Sequence, residues 1–303
     1  MSTRRDGSEE AWRSLYPFSS HWLTRGGVRM HYLAEGAGEP VVMVHGNPTW
    51  SFYFRELIAA LRGTHRCIVP DHVGCGLSDK PGDDCYHYTL TNRVADLEAL
   101  LDHEQVAGAT FLMHDWGGMI ALAAALRRPE RVKRLVILNT AGFLLPPGKR
   151  LPWQLKLLRP RNALSEFLVR GMNLFCRSAV RTAAVKGLEP AVAAGLLAPY
   201  DSWANRIAVA RFVQDIPLGP GDESFELCRW VDENLCILRD RPALVCWGRK
   251  DFVFDDDFLA EWRRRLPHAD FHAWDDAGHY VLEDARDRVV KLVQDFLHRD
   301  APR

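Results

Sequence analysis

The chain has 303 residues, 47% of them hydrophobic, which is ample for a sizeable core of its own. Lys plus Arg and Asp plus Glu number 39 each, so a formal charge of zero argues against a basic nucleic-acid-binding face or an acidic disordered tail. Seven scattered cysteines with no CxxC pair, no apolar signal core in MSTRRDGSEEAWRSLYPF and no run of about 18 apolar residues predict reduced thiols in a cytoplasm, and nothing that spans a membrane.

In chain order, HWLTRGGVRMHYLAEG predicts a hairpin turning at Gly26-Gly27. EPVVMVHGNP is a short all-apolar run ending in a Gly-Asn-Pro loop, the pattern of a strand buried on both faces. FRELIAALR follows with helical spacing. The alternation then repeats as strand RCIVPD, helix around Asn92 to Leu101, strand ATFLMH, helix Gly117 to Leu126 and strand RLVILN. Strands alternating with helices predict a parallel sheet. From about Phe143 to Pro217 buried-strand runs stop, and helix-prone segments are punctuated by prolines. A helix near Ser224 to Leu238, strand ALVCWG, helix Asp256 to Arg265, strand FHAW and helix Ala285 to Leu297 resume the pattern. The expected organisation is a core over 20–142 and 219–303 interrupted by a helical cap over 143–218. Such a cap would close over the C-terminal strand ends, where open α/β sheets bind ligands.

Three candidates for chemistry follow three different strands, in the order Asp115, Asp251, His279. Each alone has a bland explanation, an aspartate as a helix cap and a histidine as a structural group. Together, with a sharp Gly-rich turn at the first, they have the chain order nucleophile, acid, histidine of the α/β-hydrolase triad. His272 and His279 lack the spacing and neighbours of metal ligands, so neither a metal nor a cofactor is expected. The elbow carries a carboxylate where esterases carry serine. Asp115 is an anion at neutral pH and needs no base to attack a saturated carbon, forming an ester of its own side chain. Water activated by His279, itself oriented by Asp251, could then cleave that ester. An aspartate elbow therefore points to a carbon–halogen bond, an epoxide or a strained ring. Asp255, Asp256 and Asp257 are expected to start the next helix instead.

HGNPTW (His45 to Trp50), DHVGCGLSDKP (Asp71 to Pro81), HDWGG (His114 to Gly118), WGRKDFVF (Trp247 to Phe254) and DAGHYVLED (Asp276 to Asp284) resemble the haloalkane dehalogenase-like family of α/β-hydrolase folds. The likeness covers nearly the whole chain after about residue 20. PYDSWANR (Pro199 to Arg206) and RFVQDIPLGP (Arg211 to Pro220), in the insertion, sharpen it toward the branch containing the β-lactone decarboxylases of bacterial olefin biosynthesis. The chain departs from dehalogenases that take their acid from the strand before the cap, since Asn139 stands there and leaves Asp251 as the acid.

The resemblance implies that the Trp116 N–H and the Asn47 amide hold the leaving group, while backbone N–H groups of Asn47 and Trp116 form an oxyanion hole. Asn47 as a turn residue and Trp116 as plain packing remain open. His114 is expected to be structural, a neighbour on the turn facing away from the nucleophile's side. Tyr200, Trp203, Asn205 and Arg206 either face the pocket or brace the lid. The expected substrate is small and hydrophobic. In one reading it is a long-chain dialkyl β-lactone that loses CO₂ to give a cis-olefin, in the other a haloalkane hydrolysed to alcohol and halide. An epoxide hydrolase and a non-catalytic binding protein fit less well. The resemblance also implies assembly with other olefin-biosynthesis enzymes, for which no sequence feature speaks.

Overall fold

The computed structural model describes residues 10–299. The first part of the stretch read as lacking a signal core and the last residues of the expected 219–303 segment lie outside them. Eight strands form one sheet in the order β1-β2-β4-β3-β5-β6-β7-β8. β1 (Ser20–Arg25), β2 (Val28–Glu35) and β4 (His65–Pro70) pair antiparallel, as a hairpin and its neighbour. From β4 onward, β3 (Glu39–Val44), β5 (Ala109–Asp115), β6 (Val132–Thr140), β7 (Ala243–Gly248) and β8 (Asp270–Trp274) run parallel.

The middles of the central strands are apolar because both faces are covered. Val42, Val44, Phe111, Met113 and Ile137 pack with the core on one face, which includes Leu97, Ile120 and Trp262 from helices Leu90–His103, Trp116–Arg127 and Asp256–Arg265. Val41, Met43, Leu112 and Val136 pack with the core on the other, with Leu57 and Val293 from helices Arg55–Leu61 and Arg286–His298. Successive residues alternate between the two cores, as the two-residue period of a strand requires. β8 at the edge is only half-buried along its length, which explains the polar His272 within it.

Every element between β6 and β7 is helical. Leu155, Leu158, Val169, Cys176, Tyr200, Val209 and Val213 form a third, smaller apolar cluster within that segment. No helix among the described residues is long and apolar enough to cross a membrane. All seven cysteines carry free thiols, five of them buried.

The loop after β4 is anchored by Asp71, which is fully buried. One carboxylate oxygen accepts the Ser51 N–H at 2.7 Å; the other accepts His31 Nδ1 at 2.8 Å and the Leu77 N–H at 2.9 Å. Burial pushes this carboxyl up, but the hydrogen bond and charge of His31, the charge of His45 and the Leu77 N–H outweigh it and leave its pKa at about 2. A depressed carboxylate contributes stability above its unfolded pKa that is lost as pH falls through the folded value. Asp71→Ala strands two buried donors and a part-buried one and is expected to cost about 3–5 kcal/mol in urea unfolding at pH 7. The gap between variant and wild type should narrow below about pH 4, as the wild-type carboxylate protonates toward its pKa of about 2.

Candidate active site

Four loops at the C-terminal ends of parallel strands converge on one point. β3 leads into His45-Gly46-Asn47, β5 ends on Asp115, β7 leads to Asp251 and β8 to His279. Asp115 sits at φ 53°, ψ −129°, a sparsely populated conformation for a side-chain-bearing residue. The sharp turn lifts its carboxylate above the sheet, and its neighbours must be small to let it. A Cβ on Gly46 would lie 2.0 Å from Asp115 Oδ1, one on Gly117 would lie 1.9 Å from the Val44 carbonyl oxygen, and one on Gly118 would lie 2.0 Å from Thr140 Oγ1. These three close approaches explain both the HGN and the DWGG glycines. The Thr140 hydroxyl donates to the Asp115 carbonyl and ties the turn to β6.

The Asn47 backbone N–H donates to Asp115 Oδ1 at 2.7 Å, and the Trp116 N–H also acts on this carboxylate. His279 Nε2 stands 3.6 Å from Asp115 Oδ2, while His279 Nδ1 meets Asp251 Oδ2 at 2.7 Å. All three side chains are buried. Burial raises the Asp115 pKa from its ordinary value, against the opposing pull of His279 and the two backbone N–H groups. Burial alone would push His279 down. The Asp251 charge, its hydrogen bond and the Asp115 charge overcome that and raise it. An imidazole held between two carboxylates keeps its proton above the usual range.

Asp251 is the acid in contact with His279, and Val253 N–H fixes its other oxygen at 2.8 Å. Asp255 instead caps helix Asp256–Arg265, with Asp256 and Asp257 in its first turn. Asn139, noted in the sequence only for the acid it replaces, donates through Nδ2 to Asp251 Oδ2 at 3.1 Å. The same amide donates to the Gly248 carbonyl and accepts the Gly248 N–H, clamping the loop that carries Asp251. No motif marks this role, because it depends on β6 and β7 being neighbours. Phe254, three residues beyond Asp251, stacks on the His279 ring at 5.8 Å and 17°.

His114 refines an expectation. It is structural and does not line the cavity, as expected, but it packs directly on the histidine of the site. Its ring lies 4.6 Å from that of His279, and Nε2 donates to the His279 carbonyl at 2.9 Å. Burial, with the charge of His279, holds its pKa well below the ordinary value, so it is a neutral support beneath the histidine loop.

Asp115, His279, Asn47 and Trp116 open into a cavity of about 560 Å³. Its wall is mainly apolar, with Phe143, Leu145, Leu155, Phe175, Val213 and Ile216 among the lining side chains. Asn47 Nδ2 donates one hydrogen to the Val209 carbonyl at 3.2 Å, and its Oδ1 is buried without a partner among the described residues. Trp116 packs on Phe212.

Of the two roles open to Tyr200, Trp203, Asn205 and Arg206, pocket-facing is not the one they take, since none of the four lines the cavity. Tyr200 is fully buried and its hydroxyl donates to the Thr49 carbonyl at 3.3 Å. Trp203 is 46% exposed beneath the Arg170 guanidinium, 4.7 Å from the ring centroid. Arg206 donates to the Tyr200 and Arg170 carbonyls, and Asn205 to Asp201. The backbone partners of Tyr200 and Arg206, with the side-chain contacts of Trp203 and Asn205, make them braces that hold the insertion to itself and to the HGNPTW loop, the other role their pattern allows.

The family model described as alpha/beta hydrolase fold matches residues 39–285. A cis-3-alkyl-4-alkyloxetan-2-one decarboxylase of Shewanella oneidensis is 52% identical over 286 residues, covering 94% of this chain and 90% of that protein. Its counterpart in Xanthomonas campestris pv. campestris is 47% identical over 294 residues, covering 94% and 98%. Among solved structures, a haloalkane dehalogenase from Bradyrhizobium elkani superposes with a TM-score of 0.84 at 22% identity, covering 92% of this chain and 97% of its own, a likeness of fold. The chain belongs to the α/β-hydrolase fold family and, within it, to the family of the cis-3-alkyl-4-alkyloxetan-2-one decarboxylases.

Proposed function

We propose that this protein is a β-lactone decarboxylase that converts a long-chain dialkyl β-lactone into a cis-olefin and CO₂. Asp115 is the nucleophile, His279 the histidine of the triad and Asp251 its acid, with residues 143–218 as the cap over the site. The observation that carries the reading is a buried, elbow-mounted carboxylate at the floor of a largely apolar cavity of about 560 Å³. That cavity suits two alkyl arms, and the relatives of highest identity reported above bear names with this activity. Asp115 attacks the ring carbon bonded to oxygen from the back. The C–O bond breaks, releasing the ring oxygen as part of a free carboxylate, and an ester to Asp115 forms with inversion. The carboxylate then lies anti to that ester. Loss of CO₂ supplies the electron pair of the new double bond and expels Asp115 as carboxylate. Inversion followed by anti elimination turns a cis lactone into a cis alkene, and no water is consumed.

In this scheme protonated His279 is the counter-charge for the departing Asp115 carboxylate, aided by the Asn47 and Trp116 backbone N–H groups. The second reading, hydrolysis of a haloalkane, is favoured by Asn47 and Trp116, which bring two side-chain donors to the same cavity beside Asp115. There His279 must be neutral to take a proton from water. The two readings therefore demand opposite pH limbs. Alkene formation should fall as pH rises through the raised His279 pKa, whereas bromide release with alcohol should rise through it. Both should fall in acid as Asp115 protonates above its ordinary range. The decisive assay offers the pure protein a dialkyl β-lactone and a bromoalkane together. Alkene with CO₂ is expected to dominate; dominant bromide with alcohol overturns the proposal. The free thiols support a cytoplasmic location, and the expected assembly with other olefin-biosynthesis enzymes belongs to this same reading.

A further inference from the structure

The formal neutrality of the chain conceals a strong local imbalance. Between residues 143 and 190 the sequence has nine Lys or Arg against two Glu. Some of these cations are paired within the fold, Lys149 with Asp255 and Asp257, Arg159 with Asp222, Arg161 with Asp83 and Arg170 with Glu166. Others are not. Arg150, Lys156, Arg177 and Arg181 are exposed, and none has an acidic partner among the described residues.

These four lie on the elements that frame the mouth of the active-site cavity. Helix Trp153–Leu158 buries Leu155 and Leu158 and turns Trp153, Lys156 and Leu157 outward. Helix Leu174–Thr182 turns out Leu174, Arg177, Ser178 and Arg181, the i, i+3, i+4, i+7 positions of one face. Trp153 is 71% exposed, Phe252 48%, Leu157 46% and Leu174 38%, and all four also line the cavity. Large apolar side chains that are half in solvent and half in the cavity wall make an apolar rim. Unpaired cations surround it.

We propose that this rim docks the protein on an anionic lipid surface, with the cavity mouth facing the bilayer. Trp153, Leu157, Leu174 and Phe252 would sit at the level of the acyl boundary, where an amphipathic indole is at home, and Arg150, Lys156, Arg177 and Arg181 would meet the head groups. The inference deepens the function proposed above and rests on it for its purpose: a dialkyl β-lactone and its olefin both partition into lipid, and the docked mouth takes up one and returns the other without crossing water. A partner protein could cover an apolar face. The unpaired positive charge around this one favours a surface of anionic head groups.

The test is co-sedimentation of the full-length protein with vesicles, without substrate. Binding is expected to phosphatidylglycerol–phosphatidylcholine vesicles at low salt, weakening strongly at high salt, with little binding to pure phosphatidylcholine. At about a fivefold gain in partitioning per basic side chain, the combined variant Lys156→Gln, Arg177→Gln, Arg181→Gln should bind roughly a hundredfold more weakly. Trp153→Ala should weaken binding at every salt concentration, since it removes apolar contact. The three substituted cations lie outside the cavity wall, so the variant should keep wild-type turnover of a short, water-soluble substrate. Equal binding to both lipids, no binding to either, or wild-type binding by the triple variant overturns the proposal. The vesicle result does not depend on which reaction the site performs. Failure to make alkene would overturn the functional reading and leave the docking result standing.

Discussion

Asp115→Asn is expected to remove alkene formation by at least ~10⁴-fold in kcat/KM while leaving the protein folded. The amide is nearly isosteric with the carboxylate, and its oxygen can still accept from the Asn47 N–H that now donates at 2.7 Å. Asparagine also tolerates positive φ, so the turn at φ 53° is kept. What it lacks is the anion, and without it no ester to the side chain can form. Stability should hold or rise. The raised pKa of Asp115 means that its ionised form is disfavoured in the fold, so replacing it by a neutral group removes a cost present at neutral pH. Unchanged thermal unfolding with activity gone would place the loss in chemistry. Retained alkene formation would remove Asp115 from the mechanism and with it the whole scheme.

The parts of this molecule legible in its sequence are those that depend on short-range pattern. Residues 41–44, 111–113 and 243–247 are apolar at every position because each strand is covered on two faces, and all three stretches lie inside the sheet rather than at its edge. The elbow glycines were readable as a sharp turn, although the reasons for them are specific: Gly46 makes room for Asp115 itself, Gly117 for the Val44 carbonyl and Gly118 for Thr140. The order Asp115, Asp251, His279 is a pattern over the whole chain, and the geometry brings those three side chains into one line of contacts.

The unread parts depend on which strands become neighbours. Asn139 reaches Asp251 only because β6 pairs with β7, and from sequence it registered as a missing acid rather than as a clamp. The insertion left two roles open for a different reason. PYDSWANR stood out as a motif, yet Tyr200, Trp203 and Arg206 spend their polar atoms on backbone carbonyls or lie at the surface. In RFVQDIPLGP, Arg211 bridges Asp83 and Glu166, while the plainer Val213, Ile216 and Pro217 line the cavity. Distinctive polar residues in a lid of this kind hold it in place, and the residues that meet a hydrocarbon substrate are ordinary apolar ones, which no motif singles out.

His279→Gln should separate the two chemistries more sharply than any rate on the native protein. Glutamine can reach toward Asp251 but can neither carry the charge of imidazolium nor take a proton from water. With a bromoalkane, Asp115 can still displace bromide, since attack needs only the carboxylate. The resulting ester then waits for a water that nothing activates. One equivalent of bromide is expected per protein, with an alkyl adduct on Asp115 visible by intact mass, and multiple turnover should fall by about 10²–10⁴-fold. With a β-lactone, the substrate's own carboxylate expels Asp115 when CO₂ leaves, so no ester should accumulate. The variant loses only the positive charge 3.6 Å from Asp115 Oδ2, and alkene formation should slow by about 10–100-fold while continuing past one equivalent. Intact mass after each substrate decides the matter. An adduct that persists with the lactone would mean that ester breakdown there also needs water or His279, and decarboxylation could not then be what releases the nucleophile.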